Sequence, residues 1–247
     1  MELSNRTVLI VGGTSGIGLG LARRLAAAGS TVVVGGRSTE RVTDLPTVRV
    51  DVTDAESVLH ARDEVLERFP DLDVVVTMSG VLLTEDLRDP AHFATTQVTF
   101  DTNVLGTVRV VDAFTPHLVA RGAGTFVTVS SGIGFLPFPL MASYGASKAA
   151  VHAYSEALRA QLAGTGVGVV ELVPPAVATT PEQSTLNPAA LPLDDYLDEV
   201  LDLLATDPTP DEILVQGVLM HRWAERDGTY AELVARRSQA LASLPGR

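Results

Sequence analysis

The chain has 247 residues, 46% of them hydrophobic, and a formal net charge of −12. It has no cysteine, which excludes disulfides, thiolate metal sites and thiol nucleophiles. Its acidity disfavours nucleic acid and anionic membranes as partners, and no stretch reaches the ~18 consecutive apolar residues of a membrane span. Met1 leads into an apolar run without a basic, cleavable leader, so a soluble cytoplasmic protein is expected.

In chain order, β-branched runs at 7–11, 31–34, 48–50, 74–77, 125–129 and 167–173 predict strands. Amphipathic stretches at 18–28, 55–69, 97–120 and 147–163 predict helices between them. Apolar strands alternating with helices imply an α/β fold, a doubly wound parallel sheet of about seven strands with helices on both faces. After Val173 the prolines at 174, 175, 181, 188 and 192 mark a loop. A helix at 193–205, a last strand at 212–215 and a closing helix at 222–241 follow. The whole chain, 1–247, is expected to form one domain with a substrate lid at about 180–206.

The first strand ends in Val11-Gly12-Gly13-Thr14-Ser15-Gly16-Ile17-Gly18, and a helix begins at once. Glycines there let the backbone turn sharply and approach a pyrophosphate, while the helix N-terminus offers free N–H groups to the anion. Gly12, Thr14, Ser15, Gly16, Ile17 and Gly18 are therefore expected to bind a dinucleotide. The second strand ends in Gly36-Arg37-Ser38, without the acid that would hold a ribose diol. The planar fork of Arg37, with the Ser38 hydroxyl, suits a 2′-phosphate, so NADP(H) is expected over NAD(H), which stays possible. At the third strand's end, Asp51 and Val52 are placed to meet the adenine edge; Asp51 equally suits a turn or helix cap.

Tyr144 and Lys148 are four residues apart and share a face if helical. A tyrosine near its usual pKa of ~10 is a poor acid at neutral pH, and an adjacent ammonium lowers that value. Lys148 is the only lysine, against seventeen arginines. Ser131 lies just beyond the fifth strand, at the sheet edge where ligands bind in such folds, and can donate to a substrate oxygen.

With these residues in place, the sequence resembles the single-domain short-chain dehydrogenase/reductase family, from about residue 7 to 180. The glycine loop carries Val11 where the family has threonine. Thr77-Met78-Ser79-Gly80 stands where the family has Asn-Asn-Ala-Gly, the largest departure, and bears on local stability more than on chemistry. The resemblance implies catalytic roles for Asn103, Ser131, Tyr144 and Lys148. Tyr144 would exchange the proton, and Lys148 would lower its pKa and bind the nicotinamide ribose. Asn103 would hold a water linking Lys148 to solvent, and Ser131 would orient the carbonyl. It also implies cofactor contacts from Ser79, Gly80, Pro174, Val177 and Thr179, the last two at the carboxamide, and pairing of the 97–120 and 147–163 helices into a homodimer or homotetramer. The implied activity is NADP(H)-dependent interconversion of a carbonyl and an alcohol. A cofactor-bound redox sensor or scaffold without turnover is the alternative.

The five histidines, His60, His92, His117, His152 and His221, lack metal-ligand spacing, and no metal is expected. Asp101 and Asp112 are expected on wet helix faces and Trp223 in packing of the last helix. The 194–199 acidic stretch suits a wet face or part of the lid. The apolar run 135–141 beside the reaction centre suggests an apolar substrate or a subunit contact.

Overall fold

The computed structural model describes residues 1–246. Seven parallel strands form the central sheet: β1 (Thr7–Val11), β2 (Thr31–Gly36), β3 (Thr47–Arg49), β4 (Val74–Thr77), β5 (Gly124–Val129), β6 (Val167–Leu172) and β9 (Glu212–Ile213), in the order β3-β2-β1-β4-β5-β6-β9. This is the expected doubly wound sheet. The order reverses between β1 and β4, so the crevice for a ligand opens at their carboxyl ends.

Strand alternation divides the core into two layers. Val8 and Ile10 of β1 face one side with α1 (Gly16–Ala27) and α7 (Leu193–Ala205). Leu9 and Val11 face the other, with α2 (Ala55–Arg68), α4 (Gly106–Arg121) and α5 (Ala142–Leu162). Full burial of such side chains stabilises the fold by roughly 1.5–3 kcal/mol each, which fixes strand register.

Several boundaries differ from expectation. In place of one helix at 97–120 stand α3 (His92–Phe100), a π turn (Asp101–Leu105) and α4. The π turn inserts an extra residue, which a period of 3.6 does not reveal. The helix expected at 147–163 starts earlier, so Tyr144 lies inside α5. Of the helix expected at 222–241, α9 (Tyr230–Ser238) forms and runs on into a 3-10 turn (Gln239–Ser243); α8 (Leu219–Arg222) ends where it was expected to begin, and Gly228 takes φ +71° in the turn between. The segment after β6 pairs β7 (Val177–Ala178) with β8 (Leu191–Pro192) around the short α6 (Pro181–Leu186).

The acidic stretch at 194–199 is the outer face of α7: Asp194 and Asp198 are exposed and pair with Arg24 on α1. Tyr196 and Leu197 of the same helix are fully buried. Asp101 pairs with Arg109, and Asp112 is exposed. Trp223 is half-buried between the guanidinium groups of Arg222 and Arg226, at 4.4 and 4.5 Å.

Candidate active site

A cleft of about 770 Å³ runs along the carboxyl ends of the strands. One end is built by the β1–α1 loop. Gly12 has φ +94°, and a Cβ there would lie 2.4 Å from the backbone nitrogen of Ser79 at the end of β4. Gly18 is equally tight, 2.4 Å from the carbonyl oxygen of Gly12. Only glycine lets the loop, helix and β4 edge meet this closely. Ser15 precedes α1 without capping it through its side chain, leaving the first N–H groups of a 12-residue helix free to face an anion. This open N-terminus fits a dinucleotide's pyrophosphate.

Thr14, Ser15, Ile17, Arg37, Asp51, Val52, Ser79, Gly80, Pro174, Val177 and Thr179 line the same cleft, with Gly12 and Gly18. Gly16 sits behind, facing Thr179. Arg37 is exposed directly after β2 and has no ion-pair partner among the described residues. The Thr53 hydrogen bonds, and to a smaller extent the Arg37 charge, hold Asp51 below the usual carboxylate range. Asp51 is thus tied to its own turn: Thr53 donates both N–H and O–H to it, at 3.0 and 2.7 Å. Ser38 is exposed and is not part of the cleft wall.

The other end carries Ser131, Tyr144 and Lys148. Ser131 is buried just past β5, and its hydroxyl is a hydrogen-bond neighbour of the Tyr144 hydroxyl. Lys148 Nζ donates to the Val129 carbonyl at 2.8 Å and lies 5.8 Å from the centre of the Tyr144 ring. The shared helical face is therefore real. The electrostatics differ from expectation, however. Close packing around the Tyr144 hydroxyl pushes its pKa up, and the Ser131 hydroxyl pulls it partly back. Burial weakens Lys148 to about 8, against an opposing pull from the Glu171 carboxylate. Burial and Ser131 set the Tyr144 shift, and the Lys148 charge does not outweigh them.

Asn103 is fully buried in the π turn. Its amide bridges the Val81 backbone, accepting from N–H at 2.8 Å and donating to C=O at 3.0 Å, and donates to Ser147 Oγ at 3.0 Å. Ser147 in turn donates to the Tyr144 carbonyl at 2.7 Å. The amide is thus a clamp between the β4 edge and the turn of α5 that presents Tyr144. Glu85, buried, accepts from the Ser143 N–H and hydroxyl and fixes the start of the same helix. A Cβ on Gly80 would meet Asn103 Oδ1 at 3.3 Å and Lys148 Nζ at 3.7 Å, so this glycine keeps the three groups together.

A glycine loop joined across one cleft to Ser131, Tyr144 and Lys148 matches a known family along most of the chain. The family model described as short chain dehydrogenase matches residues 6–190. The chain belongs to the short-chain dehydrogenase family.

Relatives and solved structures agree with this. An uncharacterized oxidoreductase, DltE, of Bacillus subtilis is 34% identical over 199 residues, covering 77% of this chain and 79% of that one. Sulfoacetaldehyde reductase 2 of Chromohalobacter salexigens is 37% identical over 178 residues, 68% of this chain and 71% of that one. A short chain dehydrogenase of Burkholderia cenocepacia, solved in complex with NADP, superposes with a TM-score of 0.82 at 25% identity, covering 95% of this chain and 99% of that one. Among the described residues of this short-chain dehydrogenase, no helix is long and apolar enough to cross a membrane.

Two residues of the cleft wall, His221 and Arg237, carried no signal in the sequence. Both belong to the C-terminal segment beyond the family match and arrive by tertiary docking. His152 of α5, which has no metal-ligand spacing in the sequence, forms with Glu171 and Glu212 a cluster whose ligand-type atoms lie within 4.8 Å of one another. Its three members come from α5, β6 and β9, so spacing could not show it. Glu212 is already held by Arg222 at 2.9 Å, and His152 Nδ1 by Glu171 at 2.8 Å.

Proposed function

We propose that this chain is an NADP(H)-dependent oxidoreductase that interconverts a carbonyl and an alcohol, with Tyr144 as the proton-exchanging group. The observation that carries it is the convergence of Ser131, Tyr144 and Lys148 on the cleft that also holds the glycine loop and Arg37. When bound, the nicotinamide would supply or accept the hydride. Gly12, Gly18 and the open start of α1 would hold the pyrophosphate, and Arg37 the 2′-phosphate. Val177 and Thr179 would meet the carboxamide, and Lys148 the nicotinamide ribose.

Ser131 donates to the substrate oxygen and orients it toward Tyr144. Tyr144 then gives its phenolic proton to the developing alkoxide, and takes it back in the reverse direction. Its raised pKa keeps the phenol protonated, the form that reduction requires. Two relatives named as sulfoacetaldehyde reductases support that direction. Asn103 acts through Ser147, holding the helical turn that aims Tyr144. Ile133, Phe138 and Met141 give the substrate end an apolar wall. Because α7 is packed in the core, the lid expected at 180–206 would be the segment between β7 and β8. Exposed Val98, Leu105 and Val119 on the α3–α4 stretch supply a face for self-association.

The test is NADPH oxidation with a panel of aldehydes and ketones. Tyr144→Phe should lower kcat by roughly 10²–10⁴-fold, the usual share of a positioned acid. Unchanged turnover in that variant would remove Tyr144 from the mechanism. A cofactor-bound sensor would bind NADPH and oxidise none of it.

A further inference from the structure

The cleft has a second unpaired arginine. Most arginines of the chain have a carboxylate partner, among them Arg6, Arg24, Arg109, Arg159 and Arg222. Arg37 and Arg237, the two that line the cleft, have none among the described residues. The reading above gives Arg37 to the nucleotide end; Arg237 lies beyond the last residue of the family match and has no role in it.

Arg237 extends from α9 and is half-buried. Its Nη1 donates to the Leu136 carbonyl, in the loop that joins Ser131 to Tyr144. Nε and Nη2 have no hydrogen-bond partner among the described residues. The neighbouring wall is His221, packed against Gly132: a Cβ on that glycine would come within 3.0 Å of the imidazole Nδ1. Burial and the Arg237 charge lower His221 to about 4, so the ring is neutral at pH 7 and the charge at this end is that of Arg237. Burial, and next the charge of Arg236, also lower Arg237 itself.

Holding a guanidinium half out of water without a counter-charge is unfavourable, and an anion entering the cleft relieves it. The cofactor's 2′-phosphate, proposed at Arg37, does not serve here. Arg37 lies at the end of β2 and Ser131 at the end of β5, three strand spacings away, or about 14 Å at ~4.8 Å per strand. The charged groups lining the cleft are Arg37, Lys148 and Arg237, with Asp51 as the one carboxylate, in a chain of net charge −12. Asp51 sits at the adenine end. Nothing acidic in the described lining repels an anion beside Tyr144.

We propose that Arg237 binds an anionic group of the substrate, so that the preferred substrate is a small carbonyl compound bearing a carboxylate or sulfonate a few carbons from the reacting carbon. The apolar wall then contacts the linking carbons, and the guanidinium fork takes two oxygens of the anion. This rests on the carbonyl-reduction reading above and narrows its substrate class.

The test compares butanal, succinic semialdehyde and the sulfonate analogue of the latter, which differ only in the terminal group. Wild-type protein should favour at least one anionic aldehyde by about tenfold or more in kcat/KM, the value of one charge-assisted bidentate contact. The ratio between the two anions distinguishes carboxylate from sulfonate. Arg237→Gln should bring the anionic-to-neutral ratio near one. Arg236→Gln, the same charge change on an exposed neighbour, should leave the ratio as it is.

Isothermal titration with succinate, which has no reducible carbonyl, reads the same contact without turnover. Arg237→Gln should weaken it about tenfold. A variant that fails to fold is detected by circular dichroism, and Arg237→Lys, which keeps the charge, then replaces it against Arg237→Met. Equal ratios and equal succinate affinity with and without the Arg237 charge overturn the proposal. Absence of turnover with every aldehyde would instead sink the carbonyl-reduction reading, and the succinate titration would still decide on Arg237.

Discussion

The proton on Lys148 gives the sharpest test of the site. Burial brings its pKa from 10.5 to about 8. At ~1.4 kcal/mol per pH unit, that difference means that keeping the ammonium charged costs the folded site about 3–4 kcal/mol. Near pH 7 about nine-tenths of the molecules carry the charge, and near pH 9 about one-tenth. If the charged form is needed to bind the ribose and support Tyr144, kcat/KM for NADPH should be flat below pH 8. Above it, the value should fall about tenfold per unit, because this parameter reports the free enzyme. No other resolved group of the cleft titrates there: Tyr144 is pushed above 10 and His221 down to about 4. Lys148→Arg, charged throughout, should lower the rate yet lose the limb. Lys148→Met should gain stability near pH 7 and lose that advantage as pH rises from 8 toward 10.5. A wild-type profile flat to pH 10, or an arginine variant that keeps the limb at pH 8, would refute the assignment.

Three further outcomes follow from the geometry. Gly12→Ala combines a left-handed φ with a methyl 2.4 Å from the Ser79 nitrogen, so urea titration should show a loss of about 2–5 kcal/mol; a deficit under ~1 kcal/mol would show that the loop and the β4 edge are not so closely apposed. His152 has its pKa raised above 6.5, chiefly by its hydrogen bond to Glu171. The stabilisation is complete below about pH 6.5 and fades as pH climbs through the higher folded value, so His152→Gln should be more destabilising at pH 5.5 than at pH 8.5, by on the order of 1 kcal/mol. An identical deficit at the two pH values would separate His152 from Glu171. Arg37→Asp should reverse the preference between NADPH and NADH, with NADPH weakened roughly 10–100-fold; unaltered affinities would mean that another group holds the 2′-phosphate end.

What the sequence revealed is what short range determines. The glycine loop, the strand runs and the Tyr144–Lys148 spacing each lie within a few residues, and each is set by local sterics or by one turn of helix. What it concealed depends on distant segments. The π turn at Asn103 arises inside a stretch whose apolar period looks like continuous helix, and its amide is anchored on Val81, 22 residues away. Arg237 reaches the Leu136 carbonyl across 101 residues. The break at Gly228 falls on Asp227-Gly228, a turn signal inside the stretch read as one helix. The depressed value at Lys148 was beyond reach for another reason: spacing shows which groups are neighbours, whereas burial decides which way each one shifts.

That last point explains how one face of α5 supports chemistry. Tyr144, Lys148 and His152 follow one another at intervals of four residues, and each meets a different environment. Tyr144 opens onto the cleft beside Ser131, and dense packing keeps its proton on. Lys148, fully enclosed, holds its proton weakly and leans on the Val129 carbonyl. His152 is drawn toward protonation by Glu171, a fully buried carboxylate that also acts on Lys148. Glu171 therefore restrains the loss of charge at Lys148, while a protonated His152 offsets part of that restraint. The order of the three groups along the helix sets Glu171 near both His152 and Lys148, so its charge bears on both. Replacing Glu171 by glutamine should accordingly move the Lys148 limb to lower pH without touching a residue that lines the cleft.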